Sequence, residues 1–375
     1  MSENRMQRVT AEIDLDAVAS NLSEVRRRLG PGVKVMGVVK ANAYGHGAVG
    51  VAERLVAEGA DWLAVGEVTE AVELRRAGIS LPLLILGPTL TKNIPVVVRY
   101  RVSVTVTDVG FARRLDAEAE KAGEEHGVHI VVDTGMGRLG RFPDEIPALA
   151  AEIAGLRHLR LEGIFTHFPA PDREVVMTQV LAFRRLLGEL GEQGIDPGIR
   201  HAANSSAVFL HPESHFDMVR PGIALYGIDP GGLARRAGGR LRPALRLTSE
   251  IVFLKDVPAG ASIGYRPGYT SPRATRIATI PIGYAHGYSY RFSNRGRVLV
   301  RGEEAPVVGR ISMDYTTIDV GHVAGVRVGD PVVLVGTEGD EAIRVEDLAQ
   351  LAGTIPYEIS SRLGRRVKRV FKPRG

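Results

Sequence analysis

Between residue 11 and about residue 227 the chain repeats one pattern: a short apolar run, then an amphipathic segment, then another apolar run. Eight apolar runs read as strands, at 33–40, 62–66, 83–87, 102–107, 128–133, 161–167, 199–204 and 218–226. Runs such as Val38-Val39 and Ile130-Val131-Val132 are continuously apolar, as in parallel strands covered on both faces. Between them, Ala17, Val18, Leu22, Val25 and Leu29 recur at helical spacing until Gly30-Pro31 stops the run. Val68, Ala71, Val72 and Leu74 repeat the arrangement up to Gly78, as do Val176, Val180, Phe183, Leu186, Leu187 and Leu190 up to Gly191. Eight strands alternating with helices over roughly 220 residues predict an α/β fold with a (β/α)8 TIM-like barrel, a doubly wound sheet being the alternative.

The texture changes after Pro230. Gly231-Gly232 and Gly238-Gly239 mark a linker, and β-rich runs follow at 245–254, 275–282, 297–301, 306–311, 316–320 and 331–335. Helical patterns are scarce there, which predicts a mostly antiparallel β domain. The expected division is a barrel over 11–238 and a β domain over 239–375, in keeping with the two domains expected of 375 residues.

Composition narrows the classes. The hydrophobic fraction of 44% and charged fraction of 24% are those of a soluble globular protein. Cysteine is absent, which excludes disulfides, cysteine nucleophiles and thiolate zinc sites. The net charge of +5 is local, because the stretch from Arg362 to the last residue holds seven basic residues and no acid. Its alternation (Arg366, Val367, Lys368, then Val370, Phe371, Lys372) suits a strand with a solvated face better than a nucleic-acid patch. Residues 1–9 lack the apolar core of a signal peptide, and the longest apolar run, near 81–86, contains Pro82 and falls far short of a membrane span. A cytoplasmic protein is expected, with no membrane and no nucleic-acid partner. The ten histidines are scattered, His126 and His129 near a strand start read as surface residues, and no metal site is expected.

Three segments of the barrel region could carry chemistry. VMGVVKANAYGHG (35–47) ends an apolar strand in Lys40, where barrel active sites lie. A desolvated lysine there loses proton affinity and can form a Schiff base; a lysine snorkelling at the strand end is the plainer alternative. Only seven lysines accompany forty-one arginines, so surface charge in this chain is almost always arginine. VRPGIALYG (219–227) supplies Arg220 and the backbone N–H groups of Gly222 and Ile223 at the last barrel strand, where phosphate is often held, and HAANSSA (201–207) adds Ser205. A phosphate site beside a lysine suggests pyridoxal 5'-phosphate (PLP). In the β domain, SIGYRPGYT (262–270), PIGYAHGY (281–288) and GRISMDY (309–315) set Tyr265, Tyr269 and Tyr284 beside glycines.

Taken in order, VVKANAYGHG, DTGMGRLG, THF, HAANSSA, DMVRPGIALYG, PIGYAHG and SMD resemble the motif series of the alanine racemase family, PLP enzymes of fold type III, over nearly the whole chain. The resemblance implies interconversion of L- and D-alanine, supply of D-alanine for peptidoglycan, and a head-to-tail homodimer with shared active sites. It implies PLP bound to Lys40, with Tyr44, Tyr357, Ser205, Gly222 and Ile223 at its phosphate, Arg220 at the pyridine nitrogen and Arg138 at the phenolic oxygen. His167 and Arg220 would belong to the hydrogen-bond network that tunes the second base, Tyr265, which reaches in from the partner. Tyr284 and Met313, also from the partner, would contact substrate, and Arg138 would contact it from the cavity side. Two bases suit racemisation, since a proton must leave one face of a planar carbon and return on the other. A phenol ionises with difficulty, so a charge such as Arg220 must assist Tyr265.

The sequence departs from the family at five positions. Val131 stands where many members carry a lysine, commonly carbamylated, and so cannot hold Arg138 electrostatically. His286 replaces an aspartate, and Arg266 follows the catalytic tyrosine in place of glycine. These three bear on substrate preference and pH optimum; Pro356 for asparagine and Ser312 for cysteine read as neutral exchanges. Competing readings are racemisation of serine or another small amino acid, a fold-type III decarboxylase, which would need a cysteine the chain lacks, and a PLP-carrying homeostasis protein, which would need no second domain.

Overall fold

The computed structural model describes residues 8–265 and 268–372. The chain opens with strand β1 (Val9–Ile13). Eight strands follow: β2 (Lys34–Val38), β3 (Trp62–Val65), β4 (Leu83–Pro88), β5 (Ser103–Val106), β6 (His126–Val131), β7 (Leu159–Phe165), β8 (Ile199–His201) and β9 (Met218–Val219). β2 to β9 close into a parallel barrel, sealed where Lys34 and Val35 pair with Met218 and Val219. The expected TIM-like barrel is therefore present, strand for strand. β3, Trp-Leu-Ala-Val, is buried at every position, because helices cover one side of it and the barrel interior the other.

Several strands are shorter than their apolar runs, β8 and β9 by the largest fraction. β8 stops at His201 because Asn204 caps a helix, Ser205–Leu210, its Oδ1 accepting the Ala207 N–H at 3.1 Å. β9 stops at Val219, and the chain coils through a 3-10 turn at Ile223–Tyr226.

β1 belongs to a different sheet. It pairs antiparallel with Leu245–Glu250 and parallel with Lys368–Phe371, within a seven-stranded sheet of the second unit. A barrel starting at residue 11 therefore cuts through a strand of its neighbour. The physical signal is β1's burial pattern: Val9, Ala11 and Ile13 are buried while Thr10 and Glu12 are half-buried, the alternation of a one-sided sheet. A three-stranded antiparallel sheet of Phe253–Val257, Thr275–Ile280 and Thr316–Asp319 completes most of this unit. It also holds two helices, Val345–Ala352 and Pro356–Ser361, and the second packs against the Lys40 segment. That approach requires glycine at residue 45, where a Cβ would lie 2.0 Å from the Ser360 carbonyl oxygen and φ is +88°.

The barrel interior is mixed. Met36, Val38, Trp62, Ala64, Leu84 and Met218 form an apolar cluster. His129 meets the edge of Trp62 with ring centroids 5.4 Å apart, and His201 stacks on Phe165 at 4.9 Å. His126 and His129 are thus buried, not on the surface as the sequence suggested. β6 is paired on both sides, and His129 shares the inward phase of Val131. Among the described residues no helix is long and apolar enough to cross a membrane.

Candidate active site

Lys40 leaves the C-terminal end of β2, and the next four residues do something unusual. Ala41, Asn42, Ala43 and Tyr44 have φ of 52°, 53°, 53° and 53°, a left-handed turn without a glycine. Each such L-residue costs roughly 1–2 kcal/mol, so the turn needs outside support. Glu70 accepts the Ala41 N–H at 2.5 Å and the Gly66 N–H at 2.7 Å. His46 donates from Nδ1 to the carbonyls of Ala43 and Tyr44 at 3.0 and 3.1 Å. Asn42 Oδ1 accepts the Ala48 N–H at 2.7 Å, and Arg369 Nε donates to the Gly45 carbonyl at 3.0 Å.

The turn brings Lys40 and Tyr44 to one cavity of about 870 Å³ at the C-terminal mouth of the barrel. Burial lowers the proton affinity of the Lys40 amine; the guanidiniums of Arg138 and Arg220 lower it further, while Glu70 opposes them. The plain snorkelling alternative would leave the amine in water at its ordinary value.

Arg220, 4% exposed, crosses the cavity floor. It donates to the carbonyls of Thr166 at 2.7 Å and Ala202 at 3.0 Å, and to His201 Nδ1 at 2.9 Å. His167 Nδ1 lies 3.4 Å away. No carboxylate pairs with Arg220 among the described residues, and burial pulls its guanidinium down to about 9, still protonated at neutral pH. Burial, then the charges of Arg220, Arg138 and Lys40, push His167 down to about 3, so its ring is neutral.

Opposite, the Ser205 hydroxyl accepts the Gly222 N–H at 2.9 Å and the Ala224 N–H at 3.3 Å, with Ile223 between them heading the 3-10 turn. The rings of Tyr44 and Tyr357 stand 6.1 Å apart, and burial raises both phenols. A Cβ on Gly222 would lie 2.4 Å from the Tyr44 hydroxyl, so glycine is what lets that phenol approach the backbone. Two phenols, a hydroxyl and turn N–H groups make a cradle for an anion. Arg138 and Val131 line the same cavity, and Arg138 has no carboxylate partner among the described residues.

Nine of the expected site residues therefore converge: Lys40, Tyr44, Arg138, His167, Ser205, Arg220, Gly222, Ile223 and Tyr357 all line this cavity. Three do not. Tyr265, Tyr284 and Met313 are 71%, 46% and 51% exposed on the β unit, away from the cavity of their own chain. The last two share a backbone ladder, Tyr284 N–H to Ser312 O and Ala285 N–H to Met313 O, both at 3.1 Å. Arg266 lies outside the described residues. His286 is nearly buried, accepts the Gly283 N–H on Nδ1 at 3.3 Å, and is lowered by burial and Arg366 while Asp314 opposes. Pro356 occupies the first turn of its helix, and Ser312 Oγ bonds the Tyr315 backbone, so both exchanges are accommodated.

The family model described as alanine racemase, N-terminal domain, matches residues 13–230, and that of the C-terminal domain matches 244–371. The chain belongs to the alanine racemase family. It is an amino-acid racemase. It is 44% identical over 375 residues to the alanine racemase of Symbiobacterium thermophilum, covering 99% of each chain. Among solved structures it resembles alanine racemase of Clostridium difficile 630 with a TM-score of 0.94 at 37% identity, covering 98% of this chain and 96% of that one. It also resembles the Bacillus anthracis alanine racemase solved with bound L-Ala-P, with a TM-score of 0.92 at 36% identity over 98% and 95% of the two chains.

Three side chains that support the racemase's cavity from behind its lining were given no such role from sequence. His201 lay within a quoted motif without a role. His129 had a usable signal, since a residue two before the cavity-lining Val131 shares its face. Glu70 had none, because its contact depends on the left-handed turn.

Proposed function

We propose that this racemase interconverts L- and D-alanine, with PLP held on Lys40 and with Tyr265 of a second copy as the opposing acid–base group. One observation carries the reading: the residues expected from one chain line a single cavity, and the three expected from a partner stand exposed outside it. The donor set fits the cofactor, combining an amine of lowered proton affinity with an anion cradle and two guanidiniums. When bound, PLP supplies an aldehyde for an amine and a conjugated ring that acidifies the neighbouring C–H bond. Lys40 would hold it, with Tyr44, Tyr357, Ser205 and the N–H groups of Gly222 and Ile223 at its phosphate, Arg220 at its ring nitrogen and Arg138 at its phenolic oxygen.

The remaining chemistry belongs to the side chains. Burial keeps the Lys40 amine ready to accept a proton at Nζ on one face of the substrate carbon. The Tyr265 hydroxyl would hold or release a proton on the other face. Within one chain Arg220 lies buried in the cavity and Tyr265 is exposed outside it, so any assistance to the phenol has to come across two copies, with His167 as a neutral link. Tyr284 and Met313 of the second copy would narrow access to the substrate. Family membership also supports a cytoplasmic role supplying D-alanine for peptidoglycan.

Chiral chromatography of reactions started from L-alanine and L-serine tests the reading. The expected result is faster racemisation of alanine, with Lys40→Ala and Tyr265→Phe each reducing turnover on the order of a hundredfold or more. Preference for serine would overturn the substrate assignment, and an active Lys40→Ala would overturn the mechanism.

A further inference from the structure

Glu70 is the carboxylate that opposes the two guanidiniums at Lys40. It sits in the first turn of the helix Val68–Arg76, yet its carboxylate leaves that helix to bridge two other elements. One oxygen accepts the N–H of Ala41, the first left-handed residue after Lys40; the other accepts the N–H of Gly66, just past β3. Gly66 lies between the two side chains: a Cβ there would be 3.3 Å from Glu70 Oε2 and in ordinary contact, at 3.6 and 3.8 Å, with Cβ and Cδ of Lys40, so the carboxylate and the lysine stem flank the same point of the backbone.

We propose that Glu70 is the positioning residue for Lys40, its carboxylate both fixing the entry to the left-handed turn and supplying the negative charge that the lysine amine feels. The proposal rests on the assignment of Lys40 above and deepens it. The geometry gives Glu70 two separable jobs. As an acceptor of two N–H groups it directs the backbone that carries Lys40 and Tyr44. As an anion it counters Arg138 from the loop after β6 and Arg220 from the end of β9; the other titratable groups that face Lys40 or Glu70 are His167, lowered by burial, and the phenols of Tyr44 and Tyr226, raised by burial, and all three are neutral at neutral pH. Without Glu70 the amine would face two guanidiniums with no opposing charge and would lose its proton more readily still.

Substitution separates the jobs. Glu70→Gln keeps one acceptor oxygen and removes the charge; Glu70→Asp keeps the charge on a shorter stem. The test uses the full chain, freed of cofactor and exposed to PLP, with borohydride trapping across neutral to alkaline pH and peptide mass mapping of the pyridoxyl label. In Glu70→Gln the pH dependence of trapping moves to lower pH, so the rate at neutral pH relative to the alkaline plateau rises about threefold or more. Glu70→Asp restores most of the original profile. Normalising to the plateau removes any uniform loss from a loosened turn, which a merely structural role would produce. An unchanged profile in Glu70→Gln, with Lys40 still labelled, overturns this proposal and leaves the Lys40 assignment standing. Label on another residue, or undiminished in Lys40→Ala, overturns both.

Discussion

Arg220 Nη1 donates to Nδ1 of His201 across 2.9 Å, both residues buried inside the barrel. Arginine has no acceptor atom, so this contact fixes the proton of His201 on Nε2. That proton is donated to His129 Nδ1 at 3.0 Å, which places the His129 proton on Nε2, 3.8 Å from Glu162 Oε2. One guanidinium thus dictates the tautomers of two rings and aligns their dipoles toward a carboxylate at the opposite end of the barrel. Burial lowers both rings, His201 well below its ordinary value, with Arg220 adding to the effect and Glu162 opposing it at His129.

His201→Phe keeps a ring stacked on Phe165 but removes the acceptor, leaving a buried N–H of Arg220 unpaired. The expected loss is about 1–3 kcal/mol of stability, with a fall in turnover as Arg220 tilts. Thermal melting and kcat measured on the same preparation check this; an unchanged melting temperature would show that water replaces the acceptor without penalty.

Arg220→Glu inverts the polarity of the cavity floor. Its carboxylate would face the Thr166 and Ala202 carbonyls that now accept from the guanidinium at 2.7 and 3.0 Å. A carboxylate at a pyridine nitrogen favours the protonated ring, a stronger electron sink, whereas a guanidinium leaves it unprotonated. We therefore hypothesise that abortive pyridoxamine formation per turnover rises on the order of tenfold in Arg220→Glu. Quantifying pyridoxamine against D-alanine produced decides it, and an unchanged ratio counts against the role given to Arg220.

The proposed sharing of sites between two copies can be tested by mixing. Lys40→Ala and Tyr265→Phe chains are each expected to be inactive, yet a heterodimer of the two holds one intact pair, Lys40 from one chain and Tyr265 from the other. Random reassembly should recover about a quarter of wild-type activity. No recovery, with exchange of chains verified by mass, would mean that both residues act within one chain.

Acid should weaken the fold through its buried histidines. His46 is fully buried, and burial, with a smaller contribution from Arg369, pushes it from 6.5 down to about 4 against the opposing pull of its two carbonyl acceptors. The folded value lies below the unfolded one, so the stabilising difference is complete above about 6.5 and is lost as pH falls toward 4. Near pH 5 this one ring accounts for about 2 kcal/mol. Urea midpoints at neutral and mildly acidic pH should differ accordingly, and His46→Phe should flatten the dependence.

The parts legible in the sequence were those whose environment is uniform along the chain. Trp62–Val65 is buried throughout, so its apolar run alone declared a barrel strand. β1 was harder because its partner Lys368 lies at the other end of the chain, opposite Thr10, and no local pattern announces so distant a pairing. Lys40, Tyr44, Ser205, Arg220, Gly222 and Ile223 stood in contiguous motifs at strand ends. Glu70 and His129 did not, because their roles come from a backbone of unusual handedness and from a barrel interior that admits imidazole. The helix Pro356–Ser361 was missed because six residues leave almost no periodicity to read, although it carries Tyr357.

The grip of the last strand on the Lys40 segment has a consequence for biosynthesis. Arg369 spans the Gly45 carbonyl and those of Leu363, Gly364 and Val367, and the Phe371 ring fills the space left by Gly47 and Gly50. A polypeptide still emerging from the ribosome can assemble its barrel helices and strands early, but the lysine-bearing turn stays without this clasp until translation has passed Phe371. The last support of the turn that carries Lys40 is thereby also the last part of the chain to be made, and a product terminated before Arg369 would lack it.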